Sequence, residues 1–228
     1  MEKILECVHL ICYVYLKDIY SRGENDLGSR IMHGIIANLI AEQLNINDFP
    51  SFLLGGIAPD AVSPSEKSHF FRGDVSDYSR RIGYGEFLQK YRALQSSPFI
   101  QGYYAHLIAD EVWLSGFYLP WLRNRLEADP GMLQLYHEDF CLLNGQLLEH
   151  FGVKQQLNEA LQADGWAIDL EEVNSRDVAE FIPYVLGDLE YSEDSLAEPL
   201  KVFTFSQMIG YIETSVDRGL REIRKLGF

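Results

Sequence analysis

Gly102-Tyr-Tyr-Ala-His106-Leu-Ile-Ala-Asp110 places an imidazole and a carboxylate four residues apart inside an apolar run. On an α-helix, positions i and i+4 stack on one face. His106 and Asp110 therefore present a nitrogen and an oxygen to one point, which suits a cation. Gly102, one turn earlier, is expected to leave that point unobstructed. The ordinary alternative for such a pair is a buried histidine hydrogen-bonded to an aspartate, because buried polar groups need partners whatever the function. The weight of the pair depends on what the flanking stretches supply.

Upstream, residues 31–44 carry Ile36, Ile40 and Leu44, flanked by Ile35 and Leu39, at helical spacing, and His33 shares their inward face. Residues 45–50 break that helix. Phe52-Leu-Leu-Gly-Gly-Ile-Ala-Pro59-Asp60 follows, in which two glycines permit tight backbone geometry and Pro59 constrains its neighbours, so that Asp60 leaves a rigid turn. An N-cap or Asx turn would account for Asp60 standing alone. His69 lies between a turn and two aromatics, and residues 85–94 read as a short helix closed by Ser96-Ser-Pro98.

Downstream, the His106 helix continues through Val112-Trp-Leu towards Pro120. Helices are expected over residues 133–151, 153–161 and 177–189, the last interrupted near Pro183, with an acidic connector over residues 187–199. The final helix starts at Thr204 or Ser206 and carries Ile209, Ile212, Val216, Leu220 and Ile223 as a stripe. No alternating strand pattern of useful length appears, so the expected class is all-α, a single-domain helical bundle. Residues 1–30 are expected to form an N-terminal helical extension, residues 31–152 a metal-binding helical core, and residues 153–228 the C-terminal helices that complete the same domain.

At 228 residues with 47% hydrophobic content, the chain can bury a full core. Its net charge is -15, and residues 164–198 hold eleven Asp and Glu against one Arg. Such a surface repels polyanions, and with no basic stripe a nucleic-acid partner is not expected. The three cysteines, Cys7, Cys12 and Cys141, are odd in number and outside any CxxC spacing, which argues for a reducing, cytoplasmic setting and against a disulfide framework or a thiolate zinc site. Residues 4–16 are apolar but too short to span a bilayer, and they lack a cleavage signature. They read as a buried or homodimer-forming helix, and no transmembrane segment is expected.

His33, Asp60, His69, His106 and Asp110 fall within 78 positions of a chain that has six histidines. Imidazole and carboxylate without thiolate suit one or two Zn2+ ions, and Mn2+ or Fe2+ less selectively.

The pattern resembles the zinc-dependent phospholipase C family, which is related to the fungal single-strand-specific nucleases. The resemblance runs from about residue 32 to residue 113. It rests on Met32-His33, on Gly56-Ile-Ala-Pro59-Asp60, on His69, and on the stretch from Gly102 to Asp110. It implies a helical bundle of the phospholipase C/nuclease type. It also implies that Asp60, His69, His106 and Asp110 hold one metal, with Asp110 bridging to a second that His33 also holds. Three features depart from the family pattern. His33 is preceded by 32 residues, where secreted members use a mature N-terminal Trp as a ligand. Gly116 stands where a further His is expected, and Cys141 follows His137 where a Glu would complete a third site. His137, Glu138 and His150 are the spare candidates for that third site.

The expected function is accordingly a metal-dependent hydrolase of a small or lipid-derived phosphoester. A cation would lower the pKa of a bound water, Asp60 would act as the ligand or base that orients it, and Asp110 would bridge. Lys67, Arg72 and Arg80 are candidates for phosphate contact. The alternative is a non-catalytic helical protein that keeps a structural metal and acts as a partner-binding module. A His-Asp dipeptide phosphohydrolase is disfavoured because that dipeptide is absent.

Overall fold

The computed structural model describes residues 29–227. It is 68% helix and 2% strand, which is the all-α class. The apolar helix expected over residues 4–16, with its dimer role, lies outside the described residues.

Ser29 starts α1 (Arg30–Leu44) by accepting the Ile31 N–H at 3.2 Å, and Asn45 ends it in the left-handed conformation. Asp48 caps α2 (Phe49–Ile57) by accepting the Ser51 N–H at 3.1 Å, and Pro50 sits in its first turn. Gly55 and Gly56 lie inside this helix, which tightens into a 3-10 turn at Ala58–Ala61. A two-residue antiparallel pair, β1 (Phe71–Arg72) and β2 (Arg81–Ile82), closes a loop before α3 (Tyr84–Lys90). Next comes α4 (Pro98–Trp113), which runs into a π-helical stretch, Leu114–Leu122, that contains Pro120, and then into α5 (Arg123–Ala128).

The C-terminal half adds α6 (Met132–Phe151), α7 (Lys154–Gln162), α8 (Ser175–Asp188), the short α9 (Glu193–Leu196) within the acidic connector, and α10 (Phe205–Arg224). The break expected in α8 does not occur. Pro183 deprives the Ala179 carbonyl of its donor, but both residues are exposed, so water can take the donor's place. Of the two candidate caps for α10, Thr204 is used: it accepts the Gln207 N–H, and the Gln207 side chain accepts the Thr204 N–H at 2.8 Å.

The centre of the packing is the crossing of α2 with α4, and α10 lies across both α4 and α1. A Cβ on Gly55 would stand 1.9 Å from the Phe99 carbonyl oxygen, and one on Gly102 1.9 Å from that of Phe52. Gly102 is thus occupied by the neighbouring helix rather than kept open for a cation. Beyond Asp110, Trp113 stacks on Phe117 at 4.8 Å and meets Phe140, Phe203 and Tyr211 at 5.2–5.7 Å. Asp139, fully buried, accepts the backbone N–H groups of Lys201, Val202 and Phe203 and so fixes the connector that leads into α10.

The cysteine argument needs correction. Cys141 is disulfide-bonded, which removes the thiol-based case for a reducing compartment. No described helix is long and apolar enough to cross a membrane.

Two glycine substitutions separate close approach from ordinary helix propensity. Gly102→Ala should lower the unfolding free energy in urea by about 3 kcal/mol, because a backbone oxygen must be displaced. Gly210→Ala, where a Cβ meets nothing within 4 Å, should raise it by roughly 0.5–1 kcal/mol.

Candidate metal centre

Five side chains from four segments meet in one cluster. His33 comes from α1, Asp60 from the 3-10 turn, His69 from the turn before β1, and His106 and Asp110 from successive turns of α4. The glycine-mediated approach of α2 to α4 sets the first contact, in which His106 Nδ1 donates to the Gly56 carbonyl at 2.8 Å. His69 is held by its own turn, with Nδ1 3.1 Å from the Ser65 carbonyl and from the Ser68 hydroxyl. That hydroxyl also reaches the Pro59 carbonyl at 2.8 Å, next to Asp60. The following residue, Phe70, adopts a left-handed φ of 53° with its ring buried edge-on to Phe87. A bulky residue is strained there.

The ring nitrogens left over point at one another. A carbonyl can only accept, so His69 and His106 carry their protons on Nδ1 and present lone pairs at Nε2 when neutral. Those two lone pairs are 3.3 Å apart. His69 Nε2 lies 3.2 Å from Asp60 Oδ1 and 3.2 Å from Asp110 Oδ2, and His106 Nε2 lies 3.6 Å and 3.0 Å from the same two oxygens. Zinc–ligand bonds of about 2.0–2.1 Å require tetrahedral edges of about 3.3 Å. Five of the six edges among these four donors thus have lengths that a zinc ion would impose. The other Asp110 oxygen, Oδ1, faces His33 Nε2 at 3.2 Å. The His33 ring stacks on that of His106 at 3.8 Å. The Asp110 carboxylate thus offers one oxygen to each side.

Electrostatics match a site for cations. Burial opposes ionisation of Asp110, but His106 and His33 outweigh it and hold the carboxyl well below the usual range. Asp60 is likewise lowered against its own burial, by His106 and then His69. Burial works against charge on His69 too, yet Asp110 and Asp60 push its pKa to about 10, and His106 is raised by the same pair. Both Asp110 oxygens are buried with histidine nitrogens at 3.0–3.2 Å as their polar neighbours, and Asp60 Oδ2 is buried with no donor, an arrangement that is costly unless a proton or a cation is shared. The side chains of His33, His106 and Asp110 are at most 2% exposed, whereas Asp60 keeps 9% and His69 6%. Solvent reaches the cluster from the Asp60 side.

The spare candidates are engaged elsewhere. Glu138 pairs with Lys201 at 2.7 Å, His137 packs edge-on against Tyr136, and His150 packs against Phe151 and Phe205. Among the described residues, the groups of side chains able to hold an ion are His33, His106 and Asp110, and Asp60, His69 and His106. Arg72 pairs with Glu86, and Arg80 pairs with Glu66 while lying over the Phe71 ring at 4.0 Å; Lys67 is exposed. The sequence reading missed the carbonyls that orient the histidines, because a backbone acceptor has no side-chain signature. It also missed Tyr211 and Ser215, buried polar residues on α10, although their place between apolar stripe positions was a usable signal. Comparison of the chain with family models, curated proteins and solved structures gave no match.

The raised histidines set the sign of a pH dependence. In the metal-free chain, the His69 pairing stabilises the fold below its ordinary value of 6.5 and is lost as pH rises through about 10. A metal must displace that proton. Apparent metal affinity should therefore rise between pH 6 and 9, by about tenfold per pH unit for each proton displaced. Calorimetry of Zn2+ binding in buffers of different ionisation enthalpy should register proton release; a pH-independent affinity would contradict the arrangement.

Proposed function

We propose that the chain is a zinc-dependent hydrolase of a phosphoester, phospholipase C-like in its chemistry, with His33, Asp60, His69, His106 and Asp110 as the metal ligands. The observation that carries this reading is the meeting of the His69 and His106 lone pairs with Asp60 and Asp110 at zinc-edge spacing. The division of the two Asp110 oxygens between the halves of the cluster adds to it. Mn2+ or Fe2+ would fit the same donors less selectively. The His33 side supplies two protein donors, His33 Nε2 and Asp110 Oδ1, so a second ion there keeps positions open to water or substrate.

Bound divalent cations supply positive charge that lowers the pKa of water and neutralises phosphoryl oxygens. The chain's own part begins at Asp60. Its Oδ1 faces His69, while Oδ2 is buried with no donor, which leaves it free to accept a proton from a water drawn into the cluster. Asp110 keeps both oxygens ionised and in register through its place on α4. The Gly56 and Ser65 carbonyls hold His106 and His69 in the tautomer that leaves Nε2 free. The substrate class we infer is a small or lipid-derived phosphoester, because the acidic surface disfavours long polyanions. Arg72 and Arg80 are already paired, so of the three basic candidates Lys67 is the one left for phosphate contact beside the metal centre.

The second reading is a non-catalytic protein with a structural metal that binds a partner. The near-complete burial of His33, His106 and Asp110 favours it, and the exposed edge at Asp60 favours the hydrolase.

Asp110→Asn keeps the shape and removes the charge. It should reduce bound zinc by at least one equivalent and abolish hydrolysis of a panel of phosphomonoesters and phosphodiesters, while His150→Ala should change neither. Metal content and turnover are to be compared on matched preparations. Zinc binding without turnover in the wild type would select the structural reading, and full zinc content in Asp110→Asn would remove both.

A further inference from the structure

His33 differs from its two partners in one respect. His69 and His106 each anchor Nδ1 on a carbonyl, whereas His33 Nδ1 is buried without a partner. Metal-ligating histidines almost always fix the second nitrogen, because that bond sets the tautomer and the ring orientation. The Tyr211 and Ser215 hydroxyls, on residues 1% and 0% exposed, lie within each other's reach and have no further polar partner. They stand one helical turn apart on α10, on the same face.

Contacts along the helices bring these three groups to one level. Trp113 of α4 meets Tyr211, while Tyr104, nine residues earlier, meets Tyr84, whose hydroxyl accepts from Arg218, so α10 runs antiparallel to α4. Helix α1 is antiparallel to α4 as well. His33 sits beside Asp110, and Ala37 lies against Gly56, which borders Gly102. Hence α1 and α10 run parallel, and Gly219 is pressed against Ile40, where an added Cβ would meet its side chain at 2.6 Å. Seven residues back from Ile40 is His33, and seven back from Gly219 is Ile212, between Tyr211 and Ser215. The Tyr211 hydroxyl, kept protonated chiefly by burial, also feels the negative charge of Asp110.

We propose that Tyr211 and Ser215 are positioning residues of the metal centre, which share one enclosed water with His33 Nδ1 and thereby fix the tautomer and orientation of the His33 ring. A water in such a position accepts the His33 N–H and the Tyr211 O–H and donates to the Ser215 oxygen, which gives it three polar partners, the usual number for an enclosed water. Nε2 is then left as a lone pair directed at the Asp110 side. The inference rests on the metal reading given above and assigns to α10 a part in it.

The test uses the full chain with Zn2+ alone and Co2+ alone as probes. Zinc affinity is measured by competition with a chromophoric chelator, and the visible bands of Co2+ report ligand geometry. Tyr211→Phe and Ser215→Ala each remove one hydroxyl, and the double variant both, while the Tyr211 ring keeps its packing against Trp113. The weaker zinc equivalent should lose about tenfold in affinity in the double variant, the Co2+ bands of that equivalent should shift, and the tighter equivalent should be unchanged. Because the water is shared, each single variant should lose nearly as much as the double. Metal-free melting should change little, since the packing is kept and no charged group is removed. Wild-type zinc affinity together with an unchanged Co2+ spectrum in the double variant would overturn the proposal. So would losses in the single variants that simply add. Should the wild type bind neither ion, the metal reading itself fails, and this inference fails with it.

Discussion

The close approach of α2 to α4 is the contact on which the site depends. Without side chains at Gly55 and Gly102, two helix backbones come within van der Waals reach, closer than the usual interaxial spacing that side chains dictate. The result is chemical as well as structural. It delivers the Gly56 carbonyl to His106, and by bringing the end of α2 against α4 it carries Asp60 up to the same histidine. A larger residue at either glycine would move a ligand and its orienting acceptor together.

The cluster concentrates unsatisfied polarity to a degree that packing alone does not explain. Most of the described buried side-chain atoms without a hydrogen-bond partner belong to His33, Asp60, Asp110 or the Tyr211–Ser215 pair, and another, Trp113 Nε1, lies three residues beyond Asp110 on α4. Native proteins leave few such groups. Replacing such groups with apolar residues of similar volume is often neutral or stabilising, so stability alone does not account for their gathering around one point.

Much of this was legible from residue order. The helical period placed His33 on the inward face of α1, and the one-turn spacing placed His106 and Asp110 together on α4. Pro59 and the glycines marked the turn that carries Asp60. The role of Gly102 was misread, because a sequence shows that a side chain is missing but not which neighbour takes the space. Pro183 was misread for a related reason: whether a proline breaks a helix depends on whether water can reach the carbonyl it strands. The nine-residue π-helical stretch after Trp113 has no periodic signature that a 3.6-residue pattern would reveal. The disulfide at Cys141 could not follow from counting cysteines, since an odd number leaves room for both a bond and a free thiol.

The Ser68 hydroxyl, which touches the Pro59 carbonyl, the Ser65 carbonyl and the His69 ring, ties together two segments that are separate in sequence. The Tyr103 hydroxyl bonds the Ser68 carbonyl at 2.7 Å and pins the same point to α4. Asp60 and His69, the two most exposed members of the cluster, therefore form a single stiff jaw set against α4. The spacing between these two side chains and α4 is thus set from behind, by a serine that lies outside the cluster itself.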